Sequence, residues 1–236
     1  MTKLLALLLG GAKFGKLLTS AGSMLVSLVL YAFIFGWRYA AGFIAMLFIH
    51  EMGHYVAARM KGLPVGLPTF IPFLGAWVEL KKLPHDAETE AFVGLGGPLL
   101  GTVAATLTYL WARNAGDLGW LLAVAYSGFF LNLFNLIPLP PFDGGRITAV
   151  LSAKVWWLGI PVLIGLFWWN PSPMLVIFAL LAAPSAWQAF KHRATAPAYY
   201  QVTSAKRWEW AFYYFTLLGY LAVMTHDVHA LLRPHH

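Results

Sequence analysis

The sequence predicts an all-α polytopic membrane protein with about six or seven transmembrane helices and a short re-entrant β-strand or hairpin. Of its 236 residues, 60% are apolar and only 11% are charged, and its mean hydropathy is +0.68. A soluble chain usually carries about 25% charged residues, so this chain has too few charges to cover a water-facing surface. Apolar windows long enough, or nearly long enough, to cross a bilayer follow one another along the chain. They lie at 17–37, 39–60, 91–112, 118–138, 155–169, 174–190 and 208–225.

The basic residues predict how these windows are oriented. If the N-terminus is cytoplasmic and all seven windows cross, 13 of the 16 Lys and Arg residues fall on the cytoplasmic side. Only Arg38, Arg113 and Arg233 then lie outside, as the positive-inside rule requires. The pattern indicates an integral, multi-pass protein with a cytoplasmic N-terminus. The short windows 155–169 and 174–190 could instead form a hairpin that does not fully cross, and the other assignments would stand.

A single membrane domain, 1–236, accounts for the chain. Residues 1–16 contain a short apolar core flanked by lysines, which is too short for a secretory signal and favours an interfacial N-terminal segment. The net charge of +7 does not indicate nucleic-acid binding, because the basic residues are scattered between apolar runs. The lipid bilayer is the partner that this composition predicts. The absence of cysteine excludes thiolate catalysis and Cys-ligated metals.

Residues 63–82 form neither a span nor an ordinary loop. They are apolar, but Pro64, Pro68 and Pro72 forbid a continuous helix. Residues 75–80 alternate in the manner of a strand. Non-helical backbone is tolerated at membrane depth only where protein buries it or water reaches it. The segment is therefore predicted to be a re-entrant strand or hairpin that lines a cavity.

The second window carries a candidate zinc site. His50 and His54 are four residues apart, so both side chains project from one helical face and can bind one zinc ion. Glu51, beside the first histidine, can accept a proton from a water molecule that zinc activates for attack on a carbonyl. A charged residue within a span costs about 2.5–3.5 kcal/mol and so indicates a function. The alternative is a structural cluster of two buried histidines and a carboxylate.

A hydrolytic zinc ion needs a third protein ligand, and Asp143 is the best candidate. It follows the fourth window, which returns to the side on which the histidines lie, and prolines and glycines flank it. The alternative is a helix-capping aspartate at a Pro/Gly turn. Other acidic residues are predicted to lie in the cytoplasmic segment or outside the membrane: Glu79, Asp86, Glu88, Glu90 and Asp117.

The sequence HEMGH at 50–54 and the sequence NLIPLPPFDGG at 135–145 together resemble the site-2 protease family of intramembrane zinc metalloproteases. The resemblance covers about residues 39–150, which implies that this part is the catalytic core and that 151–236 supplies additional C-terminal spans. The glycine-rich stretch 94–101 resembles the family's Gly-Pro element, but only close helix packing is expected of it.

The resemblance implies a zinc metalloendopeptidase that cleaves membrane-protein substrates in or next to their transmembrane segments. It implies one zinc ion per chain, held by His50, His54 and Asp143, with Glu51 as the catalytic glutamate. Asn135 is expected to contact the substrate backbone or the oxyanion. The active site is expected to open to the cytoplasm. Because 190–236 is too short for a PDZ or nucleotide-sensing domain, a minimal form is expected, and the oligomeric state is left open.

Other functions are compatible with parts of this pattern. A metal-ion transporter or metal-binding membrane protein could use the same His and Asp cluster, although the internal symmetry typical of transporters is not visible. A catalytically inactive scaffold is a further alternative. His226, Asp227 and His229 could form a second metal site or an ordinary polar helix end. Asn132 is expected to form a hydrogen bond between helices.

Overall fold

The structure is a computed structural model that describes residues 2–72, 75–82, 84–114, 119–169, 171–195 and 197–233. Helices dominate these residues, and each predicted apolar window lies mainly on helices, with 155–169 divided between two of them. The α-helices are α1 (Thr2–Phe35), α2 (Trp37–Met60), α3 (Ala87–Asn114), α4 (Gly119–Asn135), α5 (Asp143–Thr148), α6 (Ala153–Trp156), α7 (Gly159–Trp169), α8 (Pro173–Thr195) and α9 (Ser204–Leu232). The strands are β1 (Thr69–Ile71) and β2 (Gly75–Trp77), and a 3₁₀ helix occupies Pro197–Tyr200.

Three of the described helices are long and apolar enough to cross a bilayer: α2, α3 and α9. Shorter apolar helical stretches lie at Thr19–Phe35, Gly119–Asn135 and Lys154–Trp168. These lengths and compositions are those of an integral membrane protein. Helix α7 has 11 residues and is about 16 Å long at 1.5 Å per residue, so it does not cross the hydrocarbon core alone. The count of six or seven spans and their orientation stay predictions.

The N-terminal segment continues directly into the first apolar window. Helix α1 runs without a break from Thr2 to Phe35, so residues 2–16 do not form a helix of their own. The break comes near the end of the window, at Gly36, whose positive φ of 82° precedes α2. Such a φ costs little only at glycine. The interfacial location of residues 1–16 stays a prediction.

The proline-interrupted segment contains a β-hairpin, as predicted. Strands β1 and β2 pair antiparallel, with Phe70 opposite Ala76, and Val65 forms a bridge with Leu80 beyond them. Helix α1 holds this hairpin, because the Ser20 hydroxyl donates to the Pro68 carbonyl and the Phe70 amide donates to the Ser23 hydroxyl. Helix α2 ends at Met60, before the first of these prolines, and the segment that contains them forms a short sheet beside the helices.

Helices α2, α3 and α4 pack together at glycines. A Cβ atom at Gly53 would overlap the backbone of Gly96 and Gly97, so α2 and α3 approach as closely as their backbones allow. The predicted role of the 94–101 stretch in close packing is thus confirmed. Helix α9 closes the core, with Leu221 and Val228 fully buried.

The region that follows α5 also contacts α3. The Tyr199 hydroxyl donates to Glu90 Oε2 over 2.8 Å. Burial, together with the Glu90 carboxylate beside it, raises the pKa of Tyr199 above its usual value. This contact joins the C-terminal part of the chain to the helix that packs against the histidines.

Candidate metal centre and active site

Three buried side chains converge between α2 and α5. His50 and His54 lie one turn apart on α2, and their Nε2 atoms are 3.2 Å apart. Asp143 is the first residue of α5, and its Oδ2 atom lies 3.2 Å from both Nε2 atoms. The three residues expose only 3%, 6% and 6% of their surface. The structure thus brings the three predicted zinc ligands into one cluster.

The opposite nitrogen of each imidazole has a defined partner. His50 Nδ1 lies 2.8 Å from Asn132 Oδ1, and the Asn132 amide nitrogen donates to the Gly128 carbonyl. His54 Nδ1 lies 2.8 Å from the Val93 carbonyl oxygen. Both partners are acceptors, so the proton of each neutral imidazole sits on Nδ1. Each Nε2 atom therefore presents a lone pair to the centre of the cluster.

This donor set fits a zinc ion. The two Nε2 atoms and the carboxylate oxygen face one another at 3.2 Å, and in neutral imidazoles with their protons on Nδ1 neither Nε2 atom can donate a hydrogen bond to the other or to the carboxylate. Ligand atoms around a tetrahedral zinc ion, at about 2.0–2.1 Å from it, are about 3.3 Å apart. The observed spacing matches that value. The partners on Nδ1 are of the kind that orient metal-binding histidines.

Among the described residues, this is the cluster of His, Asp and Glu side chains that could hold a metal ion. The predicted alternative cluster at the end of α9 does not assemble there. His226 and Asp227 are exposed, and the His229 ring lies against the Tyr126 ring, with centroids 5.3 Å apart.

Glycines of α3 shape the space around these ligands. A Cβ atom at Gly97 would overlap the His54 imidazole, and one at Gly101 would overlap the Asn132 amide. Glycine at both positions therefore lets α3 pass close to His54 and to the residue that holds His50. Asn132 does form the predicted hydrogen bond between helices, and its partner is a candidate zinc ligand.

A cavity of about 370 Å³ opens beside the cluster. Glu51, Asn135 and Arg146 line it together with the candidate ligands, and the hairpin supplies one wall through Ala76 and Val78. Glu51 is buried, with 6% of its surface exposed. The prediction that the hairpin lines a cavity is thus confirmed. Every residue predicted for the site also lines this cavity. The arrangement can hold a metal ion, a proton acceptor and an amide donor on one surface.

Sequence reasoning did not assign Arg146 or the Val93 carbonyl to the site. Arg146 lies three residues after Asp143, and this spacing on a helix is the signal that could have placed it on the same wall. The Val93 carbonyl gives no sequence signal, because every residue has such a group.

Comparison with known proteins agrees with this site. Residues 38–117 match the sequence model of peptidase family M50. The M50 match includes His50, Glu51, His54 and the glycine-rich part of α3, whereas Asp143 and the helices after it lie beyond the match.

Two curated proteins are similar to this chain in sequence. A zinc metalloprotease of Methanocaldococcus jannaschii is 31% identical over 115 residues, which cover 47% of this chain and 33% of that protein. A protein of Arabidopsis thaliana, named as a probable chloroplastic zinc metalloprotease, is 33% identical over 162 residues, which cover 49% of this chain and 29% of that protein. The chain therefore matches about a third of the length of these curated relatives.

One solved structure is also similar to this chain. It is the site-2 protease from Methanocaldococcus jannaschii, with 22% sequence identity and a TM-score of 0.48. The similarity covers 77% of this chain and 88% of that structure.

Proposed function

We propose that this protein is an intramembrane zinc metalloprotease that hydrolyses peptide bonds in or next to the transmembrane segments of other membrane proteins. One observation carries the proposal. His50 Nε2, His54 Nε2 and Asp143 Oδ2 converge at 3.2 Å, and Glu51 lines the same cavity. The M50 match over residues 38–117 and the apolar helices support a metalloprotease within a membrane.

His50, His54 and Asp143 would hold one zinc ion per chain. When bound, zinc polarises the scissile carbonyl and makes water acidic enough to lose a proton near neutral pH. Glu51 is the proton acceptor of this proposal. It is adjacent to His50 in the chain and lines the cavity, so it can take the proton from water and return it to the leaving amine.

Asn135 is proposed to stabilise the negative charge that develops on the substrate carbonyl. Its Nδ2 atom donates to the Leu131 carbonyl over 3.1 Å. A side-chain amide nitrogen carries two hydrogens, so one of them can still donate to the substrate. The residue lines the cavity, which is the location that this role requires.

Strand β2 is proposed to bind the substrate backbone. The peptide bonds of a helical substrate are engaged in its own hydrogen bonds, so cleavage requires local unwinding. The sheet has two strands, and β2 therefore pairs with β1 along one edge. An unwound segment could pair with the other edge by strand addition, beside the cavity wall that Ala76 and Val78 form.

The N-terminus and the opening of the active site are proposed to face the cytoplasm. The support is the distribution of basic residues, 13 of 16 of which fall on one side when all predicted windows cross.

Metal analysis joined to a cleavage assay tests the proposal. Protein purified without nickel should contain about one zinc ion per chain, the His50→Ala/His54→Ala variant should contain almost none, and His226→Ala should match the wild type. Cleavage of a panel of single-span proteins in vesicles would be read by mass spectrometry. Glu51→Gln should retain zinc and lose cleavage by at least about 100-fold, the lower end of what general acid–base groups contribute.

The outcomes separate the function classes. Zinc retained in the double histidine variant would exclude the proposed ligands. Cleavage by Glu51→Gln at the wild-type rate would remove Glu51 from the mechanism. Zinc flux across the vesicles, with no cleavage of any member of the panel, would support the metal-transporter alternative and overturn the protease proposal.

A further inference from the structure

Asp143 is carried by a segment with little regular structure of its own. Residues 136–142 connect α4 to α5 through short turns, such as the Leu139 amide donating to the Ile137 carbonyl over 2.8 Å. Phe142 precedes α5 and provides no side-chain cap. These turns and the packing of α5 against Gly94 of α3 hold part of the segment that places Asp143 Oδ2 3.2 Å from two imidazoles, and side-chain hydrogen bonds from two further helices also reach it.

One side-chain hydrogen bond to this segment comes from α9. Tyr214 is buried, with 2% of its surface exposed, and its hydroxyl donates to the Leu136 carbonyl oxygen over 2.6 Å. A Cβ atom at Gly144 would overlap that same carbonyl group. The Leu136 carbonyl is thus held between the Tyr214 hydroxyl and the residue that follows Asp143.

Another side-chain hydrogen bond comes from α6. The Trp156 indole nitrogen donates to the Gly145 carbonyl oxygen over 2.9 Å. The Trp156 ring is almost fully buried, at 2% exposure, and lies edge-on to the rings of Phe190 and Tyr200, with centroids 5.3 and 6.4 Å away. The neighbouring rings therefore hold the indole in place, and its hydrogen bond restrains α5 at Gly145.

We propose that Tyr214 and Trp156 are positioning residues for Asp143. One hydrogen bond restrains the carbonyl that contacts Gly144, and the other restrains the carbonyl of Gly145. Both donors lie beyond the M50 match at 38–117. The inference rests on the proposed metal site and makes its affinity depend on the C-terminal part of the chain.

The chain supplies a matched control for each residue. Tyr213 is adjacent to Tyr214 but exposed, and its hydroxyl donates to Glu209. Trp157 is adjacent to Trp156 and is 61% exposed. Tyr214→Phe and Trp156→Phe remove a donor to the Asp143 segment, whereas Tyr213→Phe and Trp157→Phe make the same chemical change away from it.

The experiment measures cobalt(II) binding to metal-depleted full-length protein, followed by the visible absorption of the bound ion. Tyr214→Phe and Trp156→Phe should each bind cobalt about 10-fold or more weakly, as is typical when a group behind a metal ligand is lost. The absorption band of the bound ion should also change, because one ligand is displaced. Tyr213→Phe and Trp157→Phe should match the wild type in both measurements.

Hydrogen exchange of metal-free protein provides a readout that does not depend on metal. The amides of residues 137–145 should exchange faster in Tyr214→Phe than in Tyr213→Phe, with α2 and α3 unchanged. Wild-type cobalt affinity and spectrum in both Tyr214→Phe and Trp156→Phe would overturn the inference. It would also be overturned if Tyr214→Phe accelerated exchange throughout α2 and α3 as much as in residues 137–145. Wild-type protein that binds no cobalt would overturn the proposed function, and the exchange of residues 137–145 would then decide the positioning role alone.

Discussion

The two sides of the candidate metal site are built in different ways. His50 and His54 lie on one regular helix, and a spacing of four residues alone places their side chains together. Asp143 lies 89 residues beyond His54 and follows an irregular segment. Its position depends on packing against α3 and on hydrogen bonds from α6 and α9.

This difference determines which side of the site is sensitive to substitutions at distant residues. The histidine side depends on the geometry of α2 and on the two acceptors behind the imidazoles. The aspartate side depends on hydrogen bonds from residues that are 11 and 78 positions away from the carbonyls they hold. Substitutions far from the metal should therefore act mainly through Asp143.

The largest effect is expected from Gly144→Ala, which should displace the segment that carries Asp143. The added methyl group would overlap the carbonyls of Leu136 and Ile137, and backbone atoms cannot turn aside as a flexible side chain can. Overpacking of this kind costs about 1–3 kcal/mol, which lowers the melting temperature of a chain of this size by about 2–12 °C. Zinc content, measured by elemental analysis, should fall to near zero.

Gly219→Ala is the control for that substitution. Gly219 lies inside α9, and a Cβ atom there would meet nothing within 4 Å. Alanine in a helix interior is more stable than glycine by about 0.5–1 kcal/mol, so the melting temperature should rise slightly and zinc should be retained. Gly144→Ala protein that melts and binds zinc as Gly219→Ala does would show that the segment before Asp143 is not tightly packed.

The same contrast explains what the sequence could and could not predict. The apolar windows, the hairpin and the pairing of His50 with His54 follow from local rules of length, proline position and helical spacing, and the structure shows each of them. The sequence predicts Asp143 as a ligand only by elimination and by resemblance, because no local rule of spacing links it to α2.

The contacts that support Asp143 and His50 could not be predicted from local sequence rules. Nothing in the sequence distinguishes Tyr214 from Tyr213, or Trp156 from Trp157, until the packing of α9 and α6 decides which side chain is buried. The hydrogen bond of Asn132 was expected between helices, but its partner His50 depends on how α4 lies against α2.

An intermediate effect is expected on the histidine side from Asn132→Ala. This change removes the acceptor of His50 Nδ1 and should weaken zinc binding about 10–100-fold, as loss of a partner behind a metal-binding histidine typically does. Competition with a zinc-sensitive dye measures the affinity. The control is Asn135→Ala, one turn later on α4, which should leave zinc affinity unchanged and lower cleavage about 100-fold or more. Equal zinc affinities in the two variants would contradict the separation of their roles.

The smallest effect is expected from Ser23→Ala, which acts on neither side of the metal site. It removes the hydroxyl that accepts from the Phe70 amide, and a hydrogen bond of this kind contributes about 0.5–1.5 kcal/mol. Zinc content should not change, whereas KM for a cleaved single-span protein should rise about 2- to 12-fold if that energy positions the hairpin. The matched control is Ser27→Ala, one turn along α1, because the buried Ser27 hydroxyl has no hydrogen-bond partner among the described residues. Its removal should be neutral or slightly stabilising, and a lower zinc content in Ser23→Ala would mean that the hairpin supports the metal site as well as the substrate.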